Sequence, residues 1–256
     1  MRIERREFFG NEKDLWGVVD GERWCPVAFP GLMPLEEPCR RSGEGRLRAP
    51  AVPSKIVCVG RNYRDHIREM GHGGEVLPSE PGIFLKGPNA LADPEAEIPY
   101  PPFTRAFHFE GELAVVVGRR MRRVAESEAL QGVLGYTAAL DLTARDCQKN
   151  DLQWARAKGA DCFCPLGPWI ETSLDPDHTV VRTRVNGAVR QEAGTELMIF
   201  PVARILSYVS SFMTLEPGDV VLTGTPAGVG PLEVGDRVEV SVEGVGTLAV
   251  CITEEA

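Results

Sequence analysis

The sequence contains no apolar run approaching the roughly 20 residues that a helix needs to cross a lipid bilayer. Its first residues, Met1-Arg2-Ile3-Glu4-Arg5-Arg6-Glu7, also lack the apolar core of a secretory signal peptide. We therefore expect a cytoplasmic protein with no membrane partner.

The sequence has no excess of positive charge. The 256 residues carry a formal net charge of −9 at pH 7, and no basic stripe is present that could neutralise nucleic acid phosphates. The densest basic cluster, Arg119 to Arg123, follows an apolar run and is typical of a solvated turn. We therefore expect no nucleic acid partner.

Cysteine spacing shows no disulfide or zinc pattern. The seven cysteines are an odd number and are scattered along the chain. Cys162 and Cys164 are separated by one residue, whereas zinc and thioredoxin-type sites have two residues between the thiols. We predict reduced thiols that serve packing.

The most informative stretch present is a glutamate pair, Glu110 and Glu112, that leads into the apolar run 113–117. This run predicts a buried strand, and side chains two apart on a strand share a face. Two buried carboxylates side by side repel each other, and a hard divalent cation removes that conflict. The next apolar run, 133–140, ends at Asp141, which would complete the ligand set if the two strands are neighbours. A solvated edge with surface salt bridges is the alternative.

A second candidate group lies on a predicted helix. The strand 55–60 leads into a helix over 61–71, with Asn62 as its N-cap and Gly71 as its end. His66 and Glu69 are three residues apart and become neighbours on the helix, so the glutamate could orient the imidazole as a general base. An exposed pair without function is the alternative. The composition of 71–82 is typical of a mobile loop, which would make the helix a lid.

Residues 141–154 have a helical composition. Asp141, Arg145 and Gln148 would share one stripe of a helix that begins near Asp141. Arg145 could then bind an anionic substrate or pair with a ligand carboxylate. Lys158 falls in a predicted loop, either solvated or directed at the site.

The remaining patterns are mostly strands and turns. Residues 1–53 form a small β-rich unit with a hairpin around Asp20-Gly21, and 54–256 form the main domain. Asn186-Gly187 predicts a second hairpin, and 198–212 predict a helix. The glycine-rich stretch 224–230 lacks the Lys-Ser/Thr pair of a nucleotide-binding P-loop, although its backbone amides could bind a carboxylate.

Together these motifs resemble the fumarylacetoacetate hydrolase family over nearly all of residues 55–250. No single motif is specific, but their order is. In chain order they are Val59 to His66, Phe84-Leu85-Lys86, Glu110-Gly111-Glu112-Leu113, Gly135-Tyr136 through Asp141, Thr143-Ala144-Arg145-Asp146 with Gln148, Pro165 to Trp169, Val185-Asn186-Gly187, Leu215 to Asp219, and Gly224-Thr225-Pro226.

The resemblance implies a β-rich α+β fold, a mixed β-roll with a small N-terminal β unit, and usually a homodimer. It implies a Mg²⁺ site, sometimes Mn²⁺ or Ca²⁺. The residues at matching positions are Glu110, Glu112 and Asp141 as metal ligands, His66, Glu69 and Lys158 as catalytic residues, and Arg145, Gln148 and Thr225 as substrate-binding residues.

This site predicts a metal-dependent enzyme that acts on 2-oxo acids. Among the possible reactions, C–C bond hydrolysis of an acylpyruvate is the first expectation. Decarboxylation of oxaloacetate-like or 5-oxopent-3-ene-1,2,5-tricarboxylate substrates and isomerisation of 2-hydroxyhepta-2,4-diene-1,7-dioate are the alternatives. An alternative of another class is a non-catalytic β-protein in which the cation only joins two strands. The short N-terminal unit argues against fumarylacetoacetate itself as the substrate.

Overall fold

The computed structural model describes residues 1–8, 14–71 and 77–255. The predicted mobile loop 71–82 falls partly on residues 72–76, which lie outside the described residues. Within these ranges, no helix is both long enough and apolar enough to pass through a membrane.

Most of the regular structure in the described ranges is β-strand. In chain order the strands are β1 (Arg2–Glu7), β2 (Leu15–Asp20), β3 (Arg23–Ala28), β4 (Met33–Pro34), β5 (Arg40–Arg41), β6 (Arg46–Arg48), β7 (Ile56–Gly60), β8 (Gly82–Lys86), β9 (Leu91–Ala92), β10 (Ala96–Pro99), β11 (Phe107–Phe109), β12 (Gly111–Val117), β13 (Val133–Leu140), β14 (Thr143–Ala144), β15 (Cys164–Glu171), β16 (Val180–Val185), β17 (Ala188–Gly194), β18 (Val220–Leu222), β19 (Gly230–Pro231), β20 (Arg237–Val242) and β21 (Gly246–Thr253). The β-rich α+β roll is thereby confirmed.

The α-helices of the described residues are short, apart from the last. They are α1 (Arg64–Glu69), α2 (Glu126–Ala129), α3 (Arg145–Asn150), α4 (Ala155–Lys158) and α5 (Val202–Phe212). Single 3₁₀ turns occur at Pro88–Ala90, Leu130–Gly132 and Thr195–Leu197.

One large curled sheet supports the middle of the molecule. Its path runs β4-β3-β2-β1-β15-β13-β12-β18-β7-β8, and β5, β6 and β9 pair beside this path. Every residue of β12 is buried, because its apolar run packs on both faces of the sheet. β18 pairs with β7 in parallel and with β12 antiparallel, so it joins the two strands in the middle of the sheet. The glutamates therefore lie at the start of a strand that runs through the core.

The N-terminal unit joins this sheet through β1, which pairs with β15. The hairpin predicted around Asp20-Gly21 is confirmed, with Asp20 paired to Arg23. The division at residue 53 stays a prediction.

A disulfide bond links Cys25 and Cys39, whose Cα atoms lie 4.3 Å apart. The expectation of reduced thiols throughout is therefore wrong for this pair. The pairing of β3 with β5 brings the two cysteines together, and nothing in their spacing of 14 residues indicated that pairing. The other five cysteines are free thiols, as predicted.

A second sheet, ordered β10-β21-β20-β16-β17, packs against the first. The hairpin predicted at Asn186-Gly187 is confirmed, because Val185 pairs with Ala188 and both turn residues have positive φ. The helix predicted over 198–212 begins only at Val202, with Pro201 as its N-cap, since proline cannot lie in a helix interior.

Candidate functional site

The two glutamates and Asp141 meet where β12 and β13 pair. The predicted continuous strand is interrupted at Glu110, between β11 and β12. In the antiparallel register Gly111 pairs with Leu140, and one step further the Asp141 N–H donates to the Glu110 carbonyl at 2.8 Å. One oxygen from each carboxylate lies within 4.8 Å of the others, and all three residues are buried. The predicted triad is thus assembled.

The helix expected from Asp141 onward begins later. Asp141 lies before β14, and α3 starts only at Arg145, so Asp141 does not share a helical stripe with Arg145 and Gln148. Arg145 reaches the site from α3 instead. Its Nη2 donates to Glu110 Oε1 at 2.5 Å, and its Nη1 donates to Gln148 Oε1 at 2.7 Å.

Lys158 ends helix α4 and was wrongly expected in a loop. Its side chain is 2% exposed. Its Nζ donates to Glu110 Oε2 at 2.9 Å and to Asp141 Oδ2 at 2.5 Å. It therefore lies between two of the three carboxylates.

The sequence interpretation missed Lys86, the last residue of β8, as a site residue. Its ammonium lies 2.7 Å from Asp141 Oδ1 and donates to the carbonyls of Leu142, Phe163 and Lys158. A lysine that closes an apolar strand was the available signal, because a fully buried lysine requires an anion nearby.

The neighbouring cations neutralise the negative charges of the three carboxylates to different extents. Burial would raise the pKa of Glu110, but Lys158 and Arg145 outweigh it and hold the pKa well below its usual range. Burial opposes the charge of Lys158 too, yet Asp141 and Glu110 raise the pKa of its ammonium. Burial, and then the charges of Asp141 and Glu110, raise the pKa of Glu112 well above its usual value. Glu112 is therefore the carboxylate most in need of a further cation.

The donor set fits a divalent metal ion. Among the described residues, no lysine or arginine forms an ion pair with Glu112, whose Oε2 accepts only the Gly224 N–H at 2.6 Å. Asp141 Oδ1 is buried beside the Lys86 ammonium at 2.7 Å, and its second lone pair has no partner among the described residues. Buried carboxylate oxygens with free lone pairs are the ligands that hard divalent cations prefer. Glu110, Glu112 and Asp141 could therefore hold such an ion.

Helix α1 brings His66 and Glu69 together as its spacing predicts. His66 is buried, and its Nδ1 lies 3.3 Å from Glu69 Oε2. The predicted N-cap is wrong, because Tyr63 occupies that position. The Asn62 amide instead spans the core, donating to the carbonyls of Phe200 and Thr223 at 3.0 and 2.7 Å.

The glycine-rich loop 224–230 binds two carboxylates of the protein itself. Its Gly224 N–H donates to Glu112, and its Gly228 N–H donates to both oxygens of Glu69 at 3.0 and 3.1 Å. Both glycines have φ of +101°, which disfavours any side chain. The loop thus contacts both the acidic triad and the histidine pair.

A cavity of about 340 Å³ connects these groups. Seven of the nine predicted site residues line it, all except Glu69 and Asp141. Its remaining wall includes Phe84, Met70, Trp154 and Lys149. The structure therefore brings the predicted residues to one place, and their individual roles stay predictions.

Known proteins share this fold and much of this sequence. A solved structure titled 2-hydroxyhepta-2,4-diene-1,7-dioate isomerase from Mycobacterium marinum matches 100% of this chain and 99% of that chain, with a TM-score of 0.90 and 42% identity. Protein Rv2993c of Mycobacterium tuberculosis is 52% identical over 206 residues, 79% of this chain and 77% of that protein. Oxaloacetate tautomerase FAHD1, mitochondrial, of Bos taurus is 46% identical over 196 residues, 74% of this chain and 87% of that protein.

The same region matches a described protein family. The family model of the fumarylacetoacetate (FAA) hydrolase C-terminal domain covers residues 55–253, which includes the acidic triad, the histidine pair and the glycine-rich loop. Because this match and the similarity to the solved structure cover the whole site, this chain belongs to the fumarylacetoacetate hydrolase family.

Proposed function

We propose that this chain is a divalent-metal-dependent enzyme that transfers a proton at the carbon beside the keto group of a 2-oxo acid. One observation carries the proposal. His66, a side chain suited to proton transfer, lines the same cavity as Glu110 and Glu112. A metal site and a general base that face one cavity are what enolisation of a keto acid requires.

The floor of the cavity is suited to bind the anionic end of the substrate. Mg²⁺ held by the three carboxylates would supply a Lewis acid for the carboxylate and keto oxygens of a 2-oxo acid. Lys158 remains charged in this site, because Asp141 and Glu110 raise the pKa of its ammonium. Arg145 and Gln148 line the same cavity and hold each other in place by a hydrogen bond. Thr225 completes the wall.

The histidine pair is suited to remove and return the proton. The Nδ1 of His66 is engaged by Glu69, which leaves Nε2 to act in the cavity. Nε2 takes a proton from the carbon beside the keto group, and the C–H electron pair forms the enol double bond. As that double bond forms, the π electron pair of the keto group moves onto its oxygen. Transfer of the proton to that oxygen completes a keto-to-enol conversion, whose reverse is the enol-to-keto conversion, and transfer to a conjugated carbon completes an isomerisation, so no other reactant is consumed.

The names of two relatives support proton transfer over bond cleavage. One is called an oxaloacetate tautomerase and the other a hydroxyheptadienedioate isomerase, and both reactions redistribute hydrogen within one molecule. Among the reactions expected from the sequence, isomerisation therefore moves ahead of acylpyruvate hydrolysis.

C–C hydrolysis of an acylpyruvate remains the second candidate. The hydrogen bond between His66 and Glu69 favours it, because an imidazole oriented by a carboxylate can deprotonate water as well as a carbon acid. Loss of CO₂ from an oxaloacetate-like substrate would proceed through the same enol.

A substrate panel tests the proposal. The enol-to-keto conversion of oxaloacetate, the isomerisation of a hydroxy-dienoate and the cleavage of acylpyruvates are followed by ultraviolet absorbance, each with Mg²⁺ and with EDTA. We expect the proton-transfer substrates to react fastest and EDTA to abolish the reaction. His66→Ala and Glu69→Gln should lower the rate by on the order of 100-fold and 10-fold.

The chain offers a matched control for the histidine pair. His178 and Asp175 form a second i, i+3 pair, with Nδ1 and Oδ2 at 2.9 Å, but both side chains are exposed. His178→Ala should leave the rate unchanged. Undiminished turnover in EDTA, or in folded His66→Ala, would refute the proposal, and faster acylpyruvate cleavage would put hydrolysis first. If Glu110→Ala unfolds the chain and His66→Ala changes nothing, the metal has only a structural role.

A further inference from the structure

Gln191 is a buried polar residue in a strand whose neighbouring residues are exposed. It is 1% exposed, whereas Arg190 and Glu192 on either side face solvent. The ladder between β16 and β17 skips Arg190, since Thr183 pairs with Gln191 and Arg184 pairs with Val189. A β-bulge of this kind changes the direction of a side chain, and here Gln191 is directed inward.

The amide of Gln191 uses both of its N–H donors and its oxygen acceptor. Its Oε1 accepts the Gly111 N–H at 2.9 Å. Its Nε2 donates to Thr225 Oγ1 and to the Pro226 carbonyl, both at 2.8 Å. Thr225 in turn donates to the Gly111 carbonyl at 2.9 Å. One side chain thus connects the peptide at Gly111 with the glycine-rich loop.

Both ends of this connection belong to the site. Gly111 lies between Glu110 and Glu112, so holding its peptide holds the spacing of the two carboxylates. Thr225 and Pro226 lie between Gly224, whose amide binds Glu112, and Gly228, whose amide binds Glu69. A shift of the loop would therefore move a carboxylate of the triad and the partner of His66 together.

The hairpin β16–β17 approaches both points too closely for larger residues. A Cβ at Gly111 would lie 2.0 Å from Thr183 Oγ1. A Cβ at Gly228 would lie 2.0 Å from the carbonyl oxygen of Arg190, the bulge residue. The hairpin is therefore fitted against the site and is not only a cover for the sheet.

We propose that Gln191 is a positioning residue that fixes the acidic triad and the His66–Glu69 pair relative to each other. It acts through two arms, one to Gly111 and one to the loop at Thr225 and Pro226. The inference rests on the proposed function, because the two groups need a fixed relation only if they act on one substrate. Gln191 itself does not line the cavity, so it does not contact the substrate.

Two substitutions separate the two arms. Gln191→Met has nearly the same volume and removes both arms, which leaves the Gly111 N–H unpaired. Gln191→Glu keeps an acceptor for the Gly111 N–H but cannot donate to the Pro226 carbonyl, so it impairs only the loop arm. Gln131→Met, at an exposed position away from the site, is the matched control.

The readouts are Mn²⁺ binding to the full chain, measured by electron paramagnetic resonance without substrate, and the enol-to-keto conversion of oxaloacetate. We expect Gln191→Met to raise the Mn²⁺ dissociation constant at least about tenfold and to change the spectrum of the bound ion. Gln191→Glu keeps the Gly111 arm, so it should raise the Mn²⁺ dissociation constant by less than Gln191→Met does, and it should lower kcat about tenfold. Gln131→Met should match wild type in both.

The outcomes distinguish this inference from the proposed function. If wild type binds Mn²⁺ and converts oxaloacetate, but folded Gln191→Met does both equally well, only the positioning role is overturned. If Gln191→Met does not fold, Gln191→Glu decides, and wild-type kcat in that variant overturns the inference. Equal losses of Mn²⁺ affinity in both variants would also overturn it, since a general structural role predicts them. A wild type that binds no Mn²⁺ overturns both proposals.

Discussion

Asp141 lies directly across from Glu110 at the end of the β12–β13 ladder, and its N–H donates to the Glu110 carbonyl at 2.8 Å. The two carboxylates that Lys158 bridges are therefore held by one backbone hydrogen bond. A slip of one residue would turn every side chain of β12 to the opposite face of the sheet and would move Glu112 away from the other two carboxylates. The pairing of two core strands thus sets the relative positions of the site carboxylates.

Removal of the third carboxylate should abolish metal-dependent stabilisation. Mg²⁺ at about 100 times its dissociation constant should raise the free energy of unfolding of wild type by about 2.7 kcal/mol. We expect Asp141→Asn to lose most of this gain, because only two carboxylates remain to bind the ion. Urea unfolding with Mg²⁺ and with EDTA measures it. Asp20→Asn, at the exposed end of β2, is the control, and an equal gain in Asp141→Asn would show that Asp141 is not a ligand.

Replacement of Lys86 should destabilise the fold. Its ammonium is fully buried beside Asp141 and donates to three backbone carbonyls, so Lys86→Met leaves buried acceptors and an anion without their partner. We expect a loss of about 3 kcal/mol in the free energy of unfolding. Lys149→Met, at an exposed position, should change it by less than about 0.5 kcal/mol. Equal stability of the two variants in urea would contradict a structural role for Lys86.

The bond between Cys25 and Cys39 should be detectable and stabilising. Peptide mapping without reductant should recover the two cysteines in one linked fragment. Because the bond closes a short loop between β3 and β5, its reduction should cost about 3 kcal/mol in the free energy of unfolding. Cys25→Ser should have the free energy of unfolding of reduced wild type, both with and without reductant. Cys251→Ser should behave as wild type. Recovery of two free thiols would contradict the pairing.

Asp146 should contribute a pH-dependent part of the stability. Burial opposes its ionised form, but hydrogen bonds from the Thr104 hydroxyl and the amides of Arg105 and Cys147 outweigh this and lower the pKa of its carboxyl. The unfolded chain has the ordinary pKa of about 3.9, so it takes up the proton first as the pH falls. The contribution is therefore complete above about pH 5 and is lost as the pH falls through the folded pKa.

Comparison with Asp146→Asn measures this contribution. The difference in the free energy of unfolding between wild type and Asp146→Asn should be constant from about pH 5 to 8 and should shrink below about pH 4. Asp65→Asn, which alters an exposed pair with Arg68, is the control. A difference that grows at low pH would contradict the assigned direction.

Much of the local structure followed from the sequence. The run after Glu112 predicts β12, and Asn186-Gly187 predicts the second hairpin, because apolar periodicity and turn conformations depend on a few neighbouring residues. The contact between His66 and Glu69 also followed, since a helix places residues three apart on one face.

Predictions failed where a distant partner decided the outcome. Asn62 was expected to cap α1, but its amide satisfies backbone groups of Phe200 and Thr223 across the core. Lys158 was expected in a loop because a single turn of helix has no measurable period. Cys25 and Cys39 carry no spacing signal, since their bond depends on which strands pair.

The sequence by itself determined the chemical groups of the site: a glutamate pair leading into a buried strand, a histidine and glutamate three apart on a helix, and a glycine-rich turn. Short-range interactions along the chain are sufficient for these. Only the tertiary structure decided that Asp141 faces Glu110, that Lys86 lies beneath them, and that Gln191 joins the triad to the loop. Those contacts join residues 31 to 80 positions apart and depend on strand register, which is decided by burial of the whole core.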